Sequence, residues 1–231
     1  MAYSTIELER DGDVAIIRLN DPATLNAVTV TMIEEIDAAL DEITGAARSM
    51  VLTGAGRAFC SGANLSAGMG DRKSDGPYDS GSVLESHINP LMLRLRDLPF
   101  PWVSAVKGSA AGVGCSFALA ADIVVCGESA FFLQAFARIG LVPDGGSSWI
   151  LANSVGRARA MEMMLLGERI PAAKALEWGM INRLVPDEQL MPAALDLAKA
   201  LAAGPTQALG MIRRMAWSAA NASFEDARNT E

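Results

Sequence analysis

Histidine and cysteine, which most often build metal sites and catalytic triads, are scarce in this sequence. Its 231 residues include one histidine, His87, and three cysteines, Cys60, Cys115 and Cys126. A zinc site usually needs several His or Cys ligands, and a Ser–His–Asp triad needs a histidine base. The cysteines stand among apolar residues and do not form the pattern of a disulfide framework. We therefore expect no metal, and chemistry that depends on carboxylates or backbone groups.

Basic residues are also in the minority, because 19 Lys and Arg oppose 27 Asp and Glu and the formal net charge is −8. Without a basic cluster, the chain is a poor match for nucleic acid or an anionic membrane. No apolar run reaches the roughly 18 residues of a membrane helix, and the first residues lack the features of a signal peptide. These absences predict a cytoplasmic protein without nucleic-acid or membrane partners.

Apolar periodicity predicts an α/β fold over the first part of the chain. Alternation of apolar and polar residues is typical of strands, and an apolar stripe with capping-box spacing from Thr31 to Glu34 is typical of a helix. The predicted strands lie at 5–9, 14–19, 49–53, 101–106 and 122–126. The predicted helices run from Thr31 to Gly45 and over residues 83–98 and 115–121. Strand–helix–strand order of this kind builds a largely parallel sheet.

The remainder of the chain is predicted to be mostly helical. The expected elements are helices at 155–180, 187–203 and 205–219 and one short extended piece at 181–185. We therefore divide the sequence into an α/β core, residues 1–150, and a helical C-terminal region, residues 151–231. Within the core, residues 66–82 are polar and rich in turn formers, which predicts a mobile loop about as long as an active-site lid.

Three loops rich in small residues stand out, at residues 57–65, 107–116 and 139–149, and the first two directly follow predicted strands. Loops after parallel strands meet at one edge of a sheet, where ligands bind. Small residues let backbone N–H groups approach a ligand, and two such donors form an oxyanion hole that stabilises an enolate or a tetrahedral oxyanion. The alternative is that the glycines serve tight turns and packing, and the residues alone leave both interpretations open.

Six short segments, taken in order along the chain, carry a family resemblance. They are residues 22–27 (PATLNA), 52–65 (LTGAGRAFCSGANL), 105–114 (AVKGSAAGVG), 121–123 (ADI), 140–146 (GLVPDGG) and 175–185 (ALEWGMINRLV). Each is a weak signal by itself, but together they span almost the whole chain and resemble the crotonase superfamily, the enoyl-CoA hydratase/isomerase enzymes. The segments look most similar to ring-1,2-epoxyphenylacetyl-CoA isomerases and Δ3,Δ2-enoyl-CoA isomerases.

The resemblance implies a spiral of β-β-α units, a helical trimerisation region, and assembly as a homotrimer or a dimer of trimers. It implies an acyl-CoA thioester as substrate, so coenzyme A enters with the substrate and no separate cofactor is expected. The backbone N–H groups that would hold the thioester oxygen belong to Ala63 and Val113. The residues expected to contact coenzyme A are Thr24, Leu25, Ala27, Ser61, Asn64 and Leu65. Family members usually continue for another helix or more, so we expect either that this sequence is short of the family's final helices or that this member is itself shorter.

The sequence departs from the hydratases at two positions. Where their two glutamates would align, it has Ser116 and Phe136, neither of which moves a proton well. Asp144 is the carboxylate that remains in the matching loop, as in several isomerases of the superfamily. One acid/base suffices to move a proton between two carbons, so we expect an enoyl-CoA isomerase in which Asp144 shuttles the proton. The alternatives are a hydratase that uses Asp144 and water, and a non-catalytic acyl-CoA-binding protein.

Several of these side chains have a second interpretation. Asp144, which precedes two glycines and follows a proline, is also a good helix N-cap. His87 is more simply a surface residue than a contact of the acyl group, and Arg57 meets either a coenzyme A phosphate or only solvent. Phe136 makes the expected pocket more apolar, which would raise the pKa of a neighbouring carboxyl.

Overall fold

The computed structural model describes residues 3–65 and 81–228, and the predicted loop at 66–82 lies, except for its last two residues, outside the described residues. The strands are β1 (Ile6–Asp11), β2 (Val14–Leu19), β3 (Ser49–Gly54), β4 (Trp102–Val106), β5 (Ser109–Ala111), β6 (Ile123–Gly127), β7 (Phe131–Leu133), β8 (Arg169–Pro171) and β9 (Arg183–Val185). The α-helices are α1 (Val30–Ile43), α2 (Gly81–Val83), α3 (Asn89–Arg96), α4 (Val113–Leu119), α5 (Ser147–Leu166), α6 (Ala172–Glu177), α7 (Leu190–Ala203), α8 (Thr206–Ala219) and α9 (Phe224–Arg228). A π-helical turn (Leu84–Ile88) joins α2 to α3, and 3-10 turns lie at Pro22–Thr24, Phe136–Ile139 and Asp187–Gln189.

A six-stranded sheet forms the centre of the fold, in the order β1-β2-β3-β4-β6-β9. β1 and β2 form an antiparallel hairpin, and the later neighbours pair in parallel. β3 and β4 are buried along their whole length. Strands of a parallel sheet are buried in this way when both faces are covered, and helix α7 covers one face with Leu190, Ala194, Ala198 and Ala202. The predicted α/β class is confirmed.

A smaller sheet runs beside the first, in the order β5-β7-β8. β4 leads directly into β5 and α4, and β6 leads into β7. Successive units therefore each give a long strand to the first sheet and a short strand to the second. The isolated bridges between Cys60 and Ala110 and between Val28 and Ala63 have the same parallel sense and extend this arrangement toward the earlier loops. The arrangement matches the spiral of β-β-α units that the family resemblance implies.

Helix α1 begins before the residue that the capping-box spacing predicts. Its N-cap is Thr29 rather than Thr31, because the Thr29 hydroxyl accepts a hydrogen bond from the Met32 N–H at 3.1 Å. Two threonines with the same capping chemistry stand two residues apart, so local sequence could not choose between them. The predicted apolar stripe is confirmed, since Met32, Ile33, Ile36, Leu40 and Ile43 are buried.

The predicted helix at 155–180 is wrong in its second half. Helix α5 ends at Leu166, and Gly167 then adopts a left-handed φ of +59°. The chain next forms β8, which pairs antiparallel with β7, before α6 starts after Pro171. A left-handed glycine commonly ends a helix, so this break had a local signal. Through β8 and β9, residues after 150 join both sheets.

In residues 3–65 and 81–228, no helix combines the length and the apolar character that crossing a membrane requires. The same two stretches contain no group of three or more His, Cys, Asp or Glu placed to hold a metal ion. All three cysteines are buried free thiols.

Candidate active site

Two of the glycine-rich loops meet directly after the ends of β3 and β4. The N–H of Cys60 donates to the Ser109 carbonyl at 2.9 Å, and the N–H of Ala111 donates to the Cys60 carbonyl at 3.0 Å. These two bonds hold residues 57–65 alongside residues 107–116. The convergence of parallel strand ends predicts this contact.

The bridge between Val28 and Ala63 fixes the direction of the Ala63 N–H group. The N–H of Val28 donates to the Gly62 carbonyl at 2.8 Å, and the N–H of Asn64 donates to the Val28 carbonyl at 2.9 Å. In a parallel ladder, the residue between two such bonds directs its own N–H to the opposite side. The Ala63 N–H therefore points away from Val28, and it donates no hydrogen bond to another described residue.

Gly62 and Gly112 let the two loops approach each other. Their φ angles are +99° and +52°, a region that favours glycine. A Cβ on Gly62 would lie 3.0 Å from the Ala111 carbonyl oxygen and 3.8 Å from the Gly112 Cα. Val113 follows as the first residue of α4, where an N–H has no partner within the helix. The structure thus brings Ala63 and Val113 together at one site, and among the described residues both N–H groups are unpaired.

Asp144 lies beside the start of α4 because the residue that follows it packs there. A Cβ on Gly145 would lie 3.0 Å from the Ser116 Cβ and 3.4 Å from the Val113 Cγ2. The hydroxyls of Ser116 and Ser147 both donate to the Asp144 backbone carbonyl, at 3.1 and 2.8 Å. Ser116 is buried and serves to hold the Asp144 loop in place. The third glycine-rich loop therefore joins the other two at the same site.

The alternative role of Asp144 as a helix N-cap is wrong. The N-cap of α5 is Gly146, with a φ of +75°, and no side chain caps this helix through a hydrogen bond. It is the Asp144 backbone carbonyl that accepts the Ser147 N–H, at 3.0 Å. The Asp144 carboxyl group therefore does not cap α5.

The carboxyl group of Asp144 is poorly solvated. Its Oδ1 is buried and has no hydrogen-bonding partner in the described part of the chain. Burial raises the pKa of this carboxyl to about 6, and a hydrogen bond from its own backbone N–H opposes the rise only in part. Phe136 is buried beside the neighbouring loop, with its Cζ 3.6 Å from where a Cβ on Gly112 would stand. An apolar ring near the site favours a carboxyl that titrates close to neutral pH.

The raised pKa of Asp144 leads us to expect that its ionisation affects the stability of the fold. The folded chain binds the Asp144 proton more tightly than the unfolded chain, so ionisation of Asp144 destabilises the fold. This cost is absent below the ordinary pKa of 3.8, grows between pH 3.8 and about 6, and is complete above that. Asp144→Asn should therefore raise the free energy of unfolding at pH 8 by about 2–3 kcal/mol, and change it little near pH 4.

Urea unfolding of wild type and variant at several pH values measures this difference. Asp13→Asn is the matched control, because Asp13 is an exposed carboxylate at 3.8 Å from Arg48. A stability difference for Asp144→Asn that stays constant from pH 4 to pH 8 would contradict the burial of an ionisable carboxyl.

Cys60 and Cys115 are buried residues within the two loops. Burial raises the pKa of both thiols to about 12, so they stay protonated at neutral pH. A protonated buried thiol is a poor nucleophile. Cys115 is therefore a small residue of the core.

Residues that the resemblance assigns to coenzyme A come together from two loops. The N–H of Ser61 donates to the Leu25 carbonyl at 3.0 Å, and the Ser61 hydroxyl donates to the Thr24 carbonyl at 2.9 Å. The Thr24 hydroxyl in turn donates to Asp21 Oδ2 at 2.6 Å and accepts from the Ala27 N–H at 3.1 Å. Residues 22–27 and the loop at residues 57–65 are therefore one connected structure.

The remaining assigned residues continue this surface. Asn64 is joined to Val28 through its N–H, one residue beyond Ala63. Leu65 is 67% exposed, and no described element covers its side chain. Their contact with coenzyme A stays a prediction.

Asn26 is the residue of this site that sequence reasoning missed. It is fully buried with a left-handed φ of +57°. Its Nδ2 lies 3.0, 2.9 and 3.2 Å from the carbonyl oxygens of Ala55, Ala58 and Phe59, and its Oδ1 accepts from the Asp21 N–H at 2.9 Å. Asn is among the few residues that tolerate this backbone region. The Asn26 side chain thus joins residues 22–27 to the segment that leads into Ala63.

We expect Asn26→Ala to lower the free energy of unfolding by about 2–4 kcal/mol, because it leaves buried carbonyl and N–H groups unpaired and places alanine at positive φ. Urea unfolding measures this loss. Asn26→Gly is the matched control: it loses the same hydrogen bonds but accepts the backbone conformation, and should be about 1 kcal/mol less destabilising than alanine. Unchanged stability in Asn26→Ala would show that these bonds do not hold the loops together.

His87 is half-buried in the π-helical turn, and Arg57 is the exposed first residue of the loop at residues 57–65. The His87 Nδ1 is 2.7 Å from the Ser86 Oγ, and its Nε2 is 3.7 Å from Glu34 Oε1. These contacts agree with the surface interpretation of His87. Arg57 is exposed, and its proposed contact with a coenzyme A phosphate stays a prediction.

Comparison with known proteins agrees with this architecture. Residues 9–231 match the family model described as enoyl-CoA hydratase/isomerase. A Rhodobacter capsulatus protein named as a probable enoyl-CoA hydratase is 42% identical over 93% of this chain and 81% of its own length. The 1,2-epoxyphenylacetyl-CoA isomerase of Escherichia coli K12 is 43% identical over 87% of this chain and 77% of its own length.

A solved structure agrees with the same assignment. An enoyl-CoA hydratase subunit from Geobacillus kaustophilus superposes with a TM-score of 0.90 at 31% identity, over 99% of this chain and 87% of that one. The match covers both sheets and the helices that follow them. On the sequence match, the fold and the loops described above, the chain belongs to the enoyl-CoA hydratase/isomerase family, within the crotonase superfamily.

Proposed function

We propose that this protein is an enoyl-CoA isomerase that moves a double bond through a thioester enolate, with Asp144 as its single acid/base. The observation that carries the proposal is the Asp144 carboxyl, which is buried beside the two loops and has no partner for Oδ1 among the described residues. The hydratase glutamates are replaced by Ser116, which donates to the Asp144 carbonyl, and by Phe136. Neither Ser116 nor Phe136 supplies a second acid/base, and the single carboxyl of Asp144 suits a proton shuttle.

The proposed reaction converts a 3-enoyl thioester to its conjugated 2-enoyl isomer. The thioester oxygen accepts hydrogen bonds from the N–H groups of Ala63 and Val113, which stabilise negative charge on that oxygen. The Asp144 carboxylate removes a proton from C2, and the C–H electron pair forms a dienolate. The dienolate takes the same proton back at C4, which leaves the double bond between C2 and C3. Asp144 returns to its carboxylate form, so protons and electrons balance without a cofactor.

The rest of the proposed site binds the coenzyme A portion. Thr24, Leu25 and Ala27 stand on one loop, and Ser61, Asn64 and Leu65 stand on the other. The hydrogen bonds from the Ser61 N–H to Leu25 and from the Ser61 hydroxyl to Thr24 hold the two loops together. Assembly as a homotrimer or a dimer of trimers, and a cytoplasmic location, remain predictions.

The hydratase alternative draws support from the Rhodobacter capsulatus relative, which carries a hydratase name. Addition of water to a double bond requires one group to activate the water and another to deliver the proton. Ser116 has its hydroxyl bound to the Asp144 carbonyl, and Phe136 has no titratable group. Asp144 would have to perform both tasks, which favours the isomerase.

Incubation with two purified thioesters tests the proposal. We expect a 3-enoyl-CoA to be converted to the conjugated 2-enoyl-CoA, followed by the absorbance of the conjugated thioester and by mass spectrometry. We expect little addition of water to a 2-enoyl-CoA under the same conditions. Fast formation of a 3-hydroxyacyl-CoA would support the hydratase instead. Binding of both thioesters without turnover of either would support the non-catalytic binder.

A further inference from the structure

Helix α4 carries one of the proposed oxyanion donors and also faces the loop of Asp144. Val113 is its first residue and Ser116 stands three residues later, so both side chains lie on the same face of the helix. A Cβ on Gly145 would lie 3.4 Å from the Val113 Cγ2, 3.0 Å from the Ser116 Cβ and 3.1 Å from the Ser116 Oγ. Every residue of α4 is buried, and close packing restricts the movement of this helix. One rigid element therefore borders both halves of the proposed chemistry.

Two consecutive glycines give the loop of Asp144 a flexible backbone. Gly145 and Gly146 have φ angles of +56° and +75°, and glycine permits the widest rotation of the chain. The Ser147 N–H and hydroxyl both donate to the Asp144 carbonyl, at 3.0 and 2.8 Å, but these bonds close a turn between the loop and the start of α5. The turn fixes Asp144 relative to α5, and not relative to the helix that carries Val113.

The Ser116 hydroxyl joins the Asp144 loop to α4. It donates to the Asp144 carbonyl at 3.1 Å, and in the described part of the chain this is the one hydrogen bond between residues 113–119 and residues 140–146. The bond anchors the peptide group next to the Asp144 Cα, from which the carboxyl group projects. It therefore limits how far that carboxyl can move from the N–H group of Val113.

We infer that Ser116 is a positioning residue: its hydroxyl sets the distance between the Asp144 carboxyl and the N–H group of Val113. The inference rests on the proposed function, because this distance affects the rate only if the carboxyl moves a proton on a thioester held by that N–H. A misplacement of about 1 Å can slow an enzymatic step by about 10². The alternative is that Ser116 contributes only to the stability of the fold.

Deuterium exchange at C2 of a saturated thioester, hexanoyl-CoA in D₂O, measures the proton transfer by itself. The Asp144 carboxylate removes a proton from C2, that proton exchanges with solvent, and a deuteron returns to C2. Mass spectrometry follows this exchange without any shift of a double bond. We expect Ser116→Ala to lower the maximal rate of exchange by about tenfold and to change the KM for the thioester far less.

Ser104→Ala is the matched control for the loss of a buried hydroxyl. The Ser104 hydroxyl is also buried and also donates to a backbone carbonyl, that of Ala118 in α4, at 2.7 Å. Because each variant loses one such bond, urea unfolding should show similar losses of stability in the two. Ser104→Ala should nevertheless keep the wild-type rate of exchange. A wild-type rate in Ser116→Ala, or equal rate losses in both variants, would overturn the inference.

Combination with Asp144→Asn separates positioning of the carboxyl from a general structural role. Once the carboxyl is gone, Ser116 has no acid/base to position, so Ser116→Ala should cause no further loss in the Asp144→Asn background. A loss of the same size in both backgrounds would overturn the inference. Exchange by the wild type without isomerisation of a 3-enoyl-CoA would overturn the proposed isomerase alone. Absence of both reactions in the wild type would overturn the proposed function and the inference together.

Discussion

Asp144→Asn is expected to lower kcat for isomerisation of a 3-enoyl-CoA by about 10²–10⁴, the usual contribution of a positioned general acid/base. The amide keeps the shape of the carboxyl but cannot remove the C2 proton. The loop should stay in place, because its anchoring bonds from Ser116 and Ser147 go to the backbone carbonyl of residue 144 and not to its side chain. Steady-state formation of the conjugated thioester measures the loss.

Two further readouts separate this chemical role from a structural one. The KM of Asp144→Asn should change far less than kcat, because the substrate is held by other groups. In the wild type, kcat/KM should rise as the pH increases through about 6, since the base must be ionised in the free enzyme. Asp13→Asn, at an exposed carboxylate paired with Arg48, should keep the wild-type rate. If Asp144→Asn retains wild-type kcat, another group moves the proton and the single-carboxylate mechanism is wrong.

Most of the framework of this site could be predicted from sequence because it depends on chain order. Parallel strands of one sheet end at the same edge, so loops after successive strands meet there without any knowledge of side-chain contacts. The contact of Cys60 with Ser109 and Ala111 is such a case. Together with the family segments, this reasoning predicts that the loops of Ala63, Val113 and Asp144 lie side by side, and the structure has them in contact.

Details that depend on distant partners could not be predicted in this way. Pro143, Asp144 and the glycines after them have the local pattern of a helix cap, and only hydrogen bonds from Ser116 and Ser147 to the backbone show that the carboxyl has another environment. Asn26 reads as an ordinary turn residue, since its acceptors lie about thirty residues further along the chain. Both side chains acquire their roles from tertiary structure.

Val113→Pro should produce the second large effect, because it deletes a single N–H donor at a position where proline suits the backbone. Val113 is the first residue of α4, and proline is favoured at this helical position. Gly112, which precedes it, has φ +52° and ψ −128°. This is the mirror image of the extended conformation that residues before proline prefer, and glycine adopts both equally well. The fold should therefore accept the substitution, with a melting temperature close to that of the wild type.

The expected kinetic loss from Val113→Pro is about 10²–10³ in kcat, the usual cost of removing one donor of an oxyanion hole. Val113→Ala is the matched control, because it removes side-chain atoms, including the Cγ2 that lies 3.4 Å from where a Cβ on Gly145 would stand, and keeps the N–H. It should therefore retain most of the activity while losing some stability. A rate loss in the alanine variant as large as in the proline variant would assign the effect to packing of the Asp144 loop. Wild-type kcat in Val113→Pro would mean that the thioester oxygen is held elsewhere, because charge on that oxygen develops mainly in the transition state and the loss of its donor must appear in kcat.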